Sequence, residues 1–123
     1  MNLFTSITEE SFYYLIRDYG FSEPVDTDGS WKTTFSYVSD QLEIEIELNY
    51  RDMDTFIFLR CLEDKQEEPS ARMQLEEIID TEPVKSNGNQ TTIEEFEEAI
   101  IKKAALLKQN LHQIMKQKEK IFS

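Results

Sequence analysis

Ten consecutive residues, Gln41-Leu-Glu-Ile-Glu-Ile-Glu-Leu-Asn-Tyr50, constrain this chain more than any other stretch. Leu42, Ile44, Ile46, Leu48 and Tyr50 fall on one side of an extended chain, and Glu43, Glu45, Glu47 and Asn49 on the other. A helix would scatter both sets around its axis, whereas a strand buries one set and wets the other. The pattern therefore predicts a strand in a sheet with a core on one side only. Residues 31–38, rich in aromatic and β-branched side chains, predict a strand before it, with Trp31, Thr33, Phe35 and Tyr37 on one face. Residues 55–62, Thr-Phe-Ile-Phe-Leu-Arg-Cys-Leu, predict one after it, behind a loop Arg51-Asp-Met-Asp54.

Register follows from the need to keep charge out of the core. A loop of even length places Tyr50 opposite Thr55, Leu48 opposite Ile57, Ile46 opposite Leu59 and Ile44 opposite Cys61. Glu45 then faces Arg60 and Glu47 faces Phe58 on the outer side. A three-residue loop would drive Arg60 against Ile46, since a slip of one residue exchanges the faces of a strand. Phe56 and Phe58 stay on the outer side, which is too apolar for open water, so part of that face should be covered.

Helices are expected at both ends. Residues 7–19 carry Phe12, Leu15, Ile16 and Tyr19 at helical spacing, with Ser6 or Thr8 as cap and Glu9 and Glu10 in the first turn. Gly20 supplies a left-handed stop, and Phe21 the apolar contact that accompanies it. Residues 22–30, with Pro24 and Gly29, read as a loop. After the acidic turn 63–69, a short helix near residues 70–80 is expected, capped by Ser70 and striped by Leu75, Ile78 and Ile79; a strand across Arg72–Leu75 is the alternative. Residues 81–90, with Pro83 and Asn87-Gly88, read as another loop.

Thr92-Ile-Glu-Glu95 is a capping box that opens the last helix. Ile93, Phe96, Ile100, Ala104, Leu107, Leu111, Ile114 and Ile121 trace one face of it, interrupted at Lys118. Residues 93–120 would extend about 42 Å at ~1.5 Å per residue, longer than a small core needs. The fold expected is one α+β domain over residues 1–123: an antiparallel meander of three or more strands packed by an N-terminal and a long C-terminal helix. Residues 112–123 are read as a projecting or frayed tail, and Leu111, Ile114, Met115, Ile121 and Phe122 as core packing or as a seam for a partner or a second copy.

Charge narrows the classes of function. Residues 1–98 hold seven Lys and Arg against 24 Asp and Glu, residues 99–123 six Lys against one Glu, and the whole chain carries −12. Such a surface repels nucleic acid, whose binding needs clustered Lys and Arg. The N-terminus lacks a basic, then apolar leader pattern, and no apolar run reaches the ~18 residues of a membrane span, so a cytoplasmic protein is expected. A single Cys rules out a disulfide framework or a thiolate zinc site. His112, the only histidine, has no nucleophile or orienting carboxylate in a local motif. Cys61 reads as a small buried hydrophobe. No catalytic residue, metal ligand set or cofactor motif is identified, and the chain is not expected to be an enzyme.

What remains is the acidic strand face. Alternate strand residues stand about 6.6–6.8 Å apart, so Glu43, Glu45 and Glu47 make a stripe, not a metal cage. Asp52 and Asp54, beside Arg51, extend it. These five carboxylates are either a solvated face or the contact surface for a protein partner, the chain itself being a monomer or a homodimer.

The segments Phe12-Tyr-Tyr-Leu-Ile-Arg-Asp-Tyr-Gly-Phe21, Phe35-Ser-Tyr-Val-Ser39 and Leu42-Glu-Ile-Glu-Ile-Glu-Leu-Asn-Tyr-Arg51 resemble small immunity-type proteins of bacterial polymorphic toxin systems. The resemblance covers about residues 12–62: a helix ending in Tyr-Gly-Phe, then a short meander with an acidic strand. It implies inhibition of a cognate toxin by direct binding. A basic, nuclease-type toxin would suit an acidic inhibitor, since complementary charge speeds association and rejects wrong partners.

Overall fold

The computed structural model describes residues 3–62, 72–79 and 92–117. Among these residues five strands run in chain order through one antiparallel sheet: β1 (Val25–Asp28), β2 (Lys32–Val38), β3 (Leu42–Asn49), β4 (Asp54–Cys61) and β5 (Met73–Gln74). Two short helices precede it, α1 (Leu3–Ser11) and α2 (Tyr14–Tyr19); α3 (Leu75–Ile78) follows β5, and α4 (Ile93–Lys116) closes the described chain. The architecture is α+β, an antiparallel meander with helices at both ends. The expected cap Ser70, the turn 63–69, the loop 81–90 and Lys118, Ile121 and Phe122 lie outside the described residues.

Period-two burial holds across the three long strands. Phe35 and Tyr37 on β2, Leu42, Ile44, Ile46 and Leu48 on β3, and Ile57 and Leu59 on β4 are all fully buried. They form one core with Phe12, Leu15, Leu75, Phe96, Ile100, Leu107 and Leu111 from the helices. Phe4 of α1 stacks on Phe96 of α4 at 4.7 Å, and the Tyr14 hydroxyl of α2 donates to the Ala104 carbonyl of α4 at 2.9 Å. The N-terminal helices and α4 are thereby tied over the same face of the sheet.

The β3–β4 register keeps the expected faces but sits two residues away from the expected pairing. Ile46 pairs with Ile57, Ile44 with Leu59 and Leu42 with Cys61; outside, Glu43 meets Arg60, Glu45 meets Phe58 and Glu47 meets Phe56. The reason lies in the turn. The loop is Tyr50–Met53, one residue earlier than expected, because Asn49 Oδ1 accepts from the Asp52 N–H at 2.9 Å and Met53 takes a left-handed conformation with φ 51°. Its length is still even, so no face is exchanged.

The expected continuous first helix is broken. Leu15 N–H bonds to Phe12 O and Ile16 N–H to Tyr13 O, both at 3.0 Å, so the backbone tightens to i→i−3 bonds and turns. Phe12 and Tyr14 lie about 200° apart on a straight helix and could not both enter one core; after the break both are buried. Thr8 is not a cap: it is fully buried inside α1 and donates to Phe4 O at 2.7 Å. Gly20 ends α2 at φ 72°, and Phe21, 3% exposed, bonds through its N–H to Leu15 O.

Four further expectations are corrected. The loop expected over 22–30 contains β1, a strand whose four residues are all exposed and which hydrophobic patterning could not reveal. Trp31 lies outside β2 and is 44% exposed. Ile93, in the first turn of α4, is 60% exposed instead of joining the buried stripe. Near residue 75 the strand and helix alternatives both occur, one after the other, as β5 and α3. Thr92 does cap α4, its hydroxyl accepting from the Glu95 N–H at 3.1 Å.

Candidate functional site

Helices cover one face of the sheet; among the described residues no helix covers the other. The outer face is built by alternation from Thr34 and Ser36 of β2, Glu43, Glu45 and Glu47 of β3, and Phe56, Phe58 and Arg60 of β4. The structure thus brings the three predicted glutamates into one column, with Asp54 at the start of β4 and Asp52 in the adjoining turn.

That column is not the bare acidic stripe expected. Each carboxylate meets a cation: Glu43 meets Arg60 at 3.7 Å, Glu45 meets Arg72 at 2.9 Å and Glu47 meets Lys32 at 3.6 Å. Glu43 also accepts from the Ser36 hydroxyl at 3.1 Å. Their side chains are only 25%, 22% and 13% exposed. Much of the local charge is cancelled within the sheet, and what the pairs chiefly do is fix the three cations in place. Partly exposed pairs of this kind add ~0–1 kcal/mol to stability.

The aromatic part of the face lies next to the column. Phe56 and Phe58 are half-buried, with ring centroids 6.4 Å apart and planes inclined by 27°. Part of the expected cover is Arg72, which lies over Phe58: its guanidinium carbon sits 4.2 Å from that ring's centroid while an amino group holds Glu45. One guanidinium thus lies against a ring and bonds a carboxylate at once. Charge next to a π-face is attractive, and the planar guanidinium can stack and bond at once. Sequence reasoning missed Arg72 and Lys32. The alternation of β2 puts Lys32 on the outer side and was a usable signal. Arg72 arrives only through two paired residues of β5, Leu59 with Met73 and Phe58 with Gln74, and no local pattern encodes that.

The other candidates fall elsewhere. Cys61 is 4% exposed in the core, and His112 is exposed on α4. Leu111 and Ile114 are buried in the chain's own core and Met115 packs against it, so a seam along α4 would lack its central residues. Among the described residues no three His, Cys, Asp or Glu side chains are grouped to hold a metal ion. Nor, among them, is any helix long and apolar enough to cross a membrane. No family model, curated protein or solved structure matches the chain.

Proposed function

We propose that this chain is a non-enzymatic binding protein of the immunity type, which neutralises a cognate, basic toxin by direct contact through the outer face of its sheet. The observation that carries this reading is the half-buried Phe56–Phe58 pair, with Arg72 over the Phe58 ring, on a face no described helix covers. Aromatic rings with an ordered arginine at the centre of a patch are the composition that dominates binding energy at protein interfaces. Glu43, Glu45 and Glu47 hold the cations around it, and Asp52 and Asp54 border it. The chain's −12 charge steers a basic partner towards it.

The pairing of the glutamates alters what this reading demands. The anchor is aromatic and guanidinium contact, with net charge acting on the rate of encounter, so added salt should slow association more than it speeds dissociation. The test is capture from the source cells with wild type and with Phe58→Glu, followed by expression of whatever discriminates between them. A captured protein that is toxic alone, and is neutralised by wild type but not by Phe58→Glu, supports the proposal. Capture by both forms alike removes the face from the account.

A further inference from the structure

At the opposite edge of the sheet from β5, strand β1 has β2 on one side and, among the described residues, no strand on the other. Its four residues are all exposed, Val25 at 68%. The ladder decides which backbone groups face outward. Gly29 N–H bonds to Lys32 O at 2.7 Å, which makes these two a hydrogen-bonded pair. Bonded and non-bonded pairs alternate along an antiparallel ladder. Thr27 with Thr34 and Val25 with Ser36 are therefore the next bonded pairs, and Asp26 and Asp28, opposite Phe35 and Thr33, turn their N–H and C=O groups away from β2. Pro24 follows in the same outward series and has no N–H to give.

We propose that this edge takes up an extended segment of a partner that carries Lys or Arg at alternate positions, adding it as a further strand beside β1. Asp26 and Asp28 offer two outward donors and two acceptors, enough for about four backbone hydrogen bonds, with Pro24 at one end and the Gly29 turn at the other. Both outward residues carry a carboxylate on the same side of the strand, and Asp28 Oδ1 is held by the Thr33 hydroxyl at 2.8 Å. The two charges select the occupant. A second copy pairing β1 with β1 would set aspartate against aspartate, and like charges directly opposite destabilise a pair. Charged edge residues reject neutral strands for the same reason that they guard against aggregation. A strand with cations opposite Asp26 and Asp28 meets attraction where the others meet repulsion.

This surface is distinct from the aromatic face, and neither proposal falls with the other. The test uses the full chain labelled with ¹⁵N and two capped hexapeptide probes at millimolar concentration, one alternating Lys with Val and one alternating Glu with Val. The lysine probe should shift the Asp26 and Asp28 amides and slow their hydrogen exchange at least tenfold; the glutamate probe should do neither. Asp26→Lys should reverse that preference, and Asp26→Asn should weaken the lysine probe while leaving the Phe35 and Ile46 amides in place as evidence of folding. Phe58→Glu should leave the lysine response unchanged. An equal response to both probes overturns the proposal, as does an equal response to a lysine probe whose backbone is N-methylated, since that would be charge attraction without strand addition.

Discussion

The two faces of β3 share one backbone and one period, yet they hold their side chains by different means. Inward, Leu42, Ile44, Ile46 and Leu48 are all at 0% exposure. Outward, Glu43, Glu45 and Glu47 keep 25%, 22% and 13% of their side-chain surfaces and each meets a cation. Apolar burial is non-directional and grows with area, so the inner face tolerates no vacancy. A partly wet ion pair gains little because water competes for both charges. The stability of the sheet is therefore concentrated on one face, which leaves the other free to be shaped for contact.

The largest expected effect lies on the inner face. Ile46→Ala should lower the unfolding free energy by about 4 kcal/mol in denaturant titration, because it removes buried methyl groups and leaves a void among Phe35, Ile57 and their neighbours. Glu45→Ala, one residue away and facing outward, should lower it by less than about 1 kcal/mol. Equal losses from the two would break the comparison.

Next comes an ion pair placed where the inner-face rule applies. Glu76 of α3 is 3% exposed and pairs with Lys103 of α4, while its second carboxylate oxygen is buried with no hydrogen-bond partner among the described residues. Lys103→Met strands a buried carboxylate and should destabilise by about 3 kcal/mol. Adding Glu76→Met should restore most of that loss, since two apolar groups replace a desolvated pair. A single variant as mild as Glu45→Ala would show that α3 opens to water.

Two tyrosines give a smaller contrast of opposite sign. The Tyr37 hydroxyl is buried with no hydrogen-bond partner among the described residues, whereas that of Tyr14 is bonded to Ala104 O. Tyr37→Phe should stabilise by about 1 kcal/mol and Tyr14→Phe should destabilise by about the same. Burial pushes both hydroxyls well above the ordinary tyrosine value of 10.0. In the unfolded chain they ionise near pH 10, so proton loss there favours unfolding. Their contribution is complete below that pH and declines above it until the buried hydroxyls themselves ionise, by up to about 1.4 kcal/mol per pH unit for each. Tyr37→Phe should make this alkaline decline shallower.

These contrasts bear on what could be read in advance. The alternation of residues 42–48 gave the faces of β3 directly, and an even loop kept those of β4, because a wrong parity would bury Arg60. The exact pairing escaped because it depends on a hydrogen bond from the Asp52 N–H to Asn49, which parity does not see. Strand β1 escaped because Val25, Asp26, Thr27 and Asp28 bury nothing, so their only signal is a ladder made with β2. The glutamates of the candidate site were legible as an outward column. Arg60 was legible as an outward cation, though set against Glu45 and not Glu43; Lys32 was missed although the alternation of β2 offered it, and Arg72 comes from beyond β4, where no local pattern places it.

The smallest expected effect is the most informative about the outer face. Glu45→Gln, Arg72→Gln and the double variant form a cycle whose coupling isolates the 2.9 Å pair from everything else either side chain does. With both side chains partly wet, we expect a coupling of about 0.5 kcal/mol, declining as salt is raised. Arg72→Gln alone should cost slightly more than that coupling, because it also uncovers the Phe58 ring. A coupling above about 1.5 kcal/mol, insensitive to salt, would mean that the outer column stabilises the sheet as the inner one does. The arginine would then be committed to its own glutamate, and a partner could use it only by breaking a bond that the fold relies on.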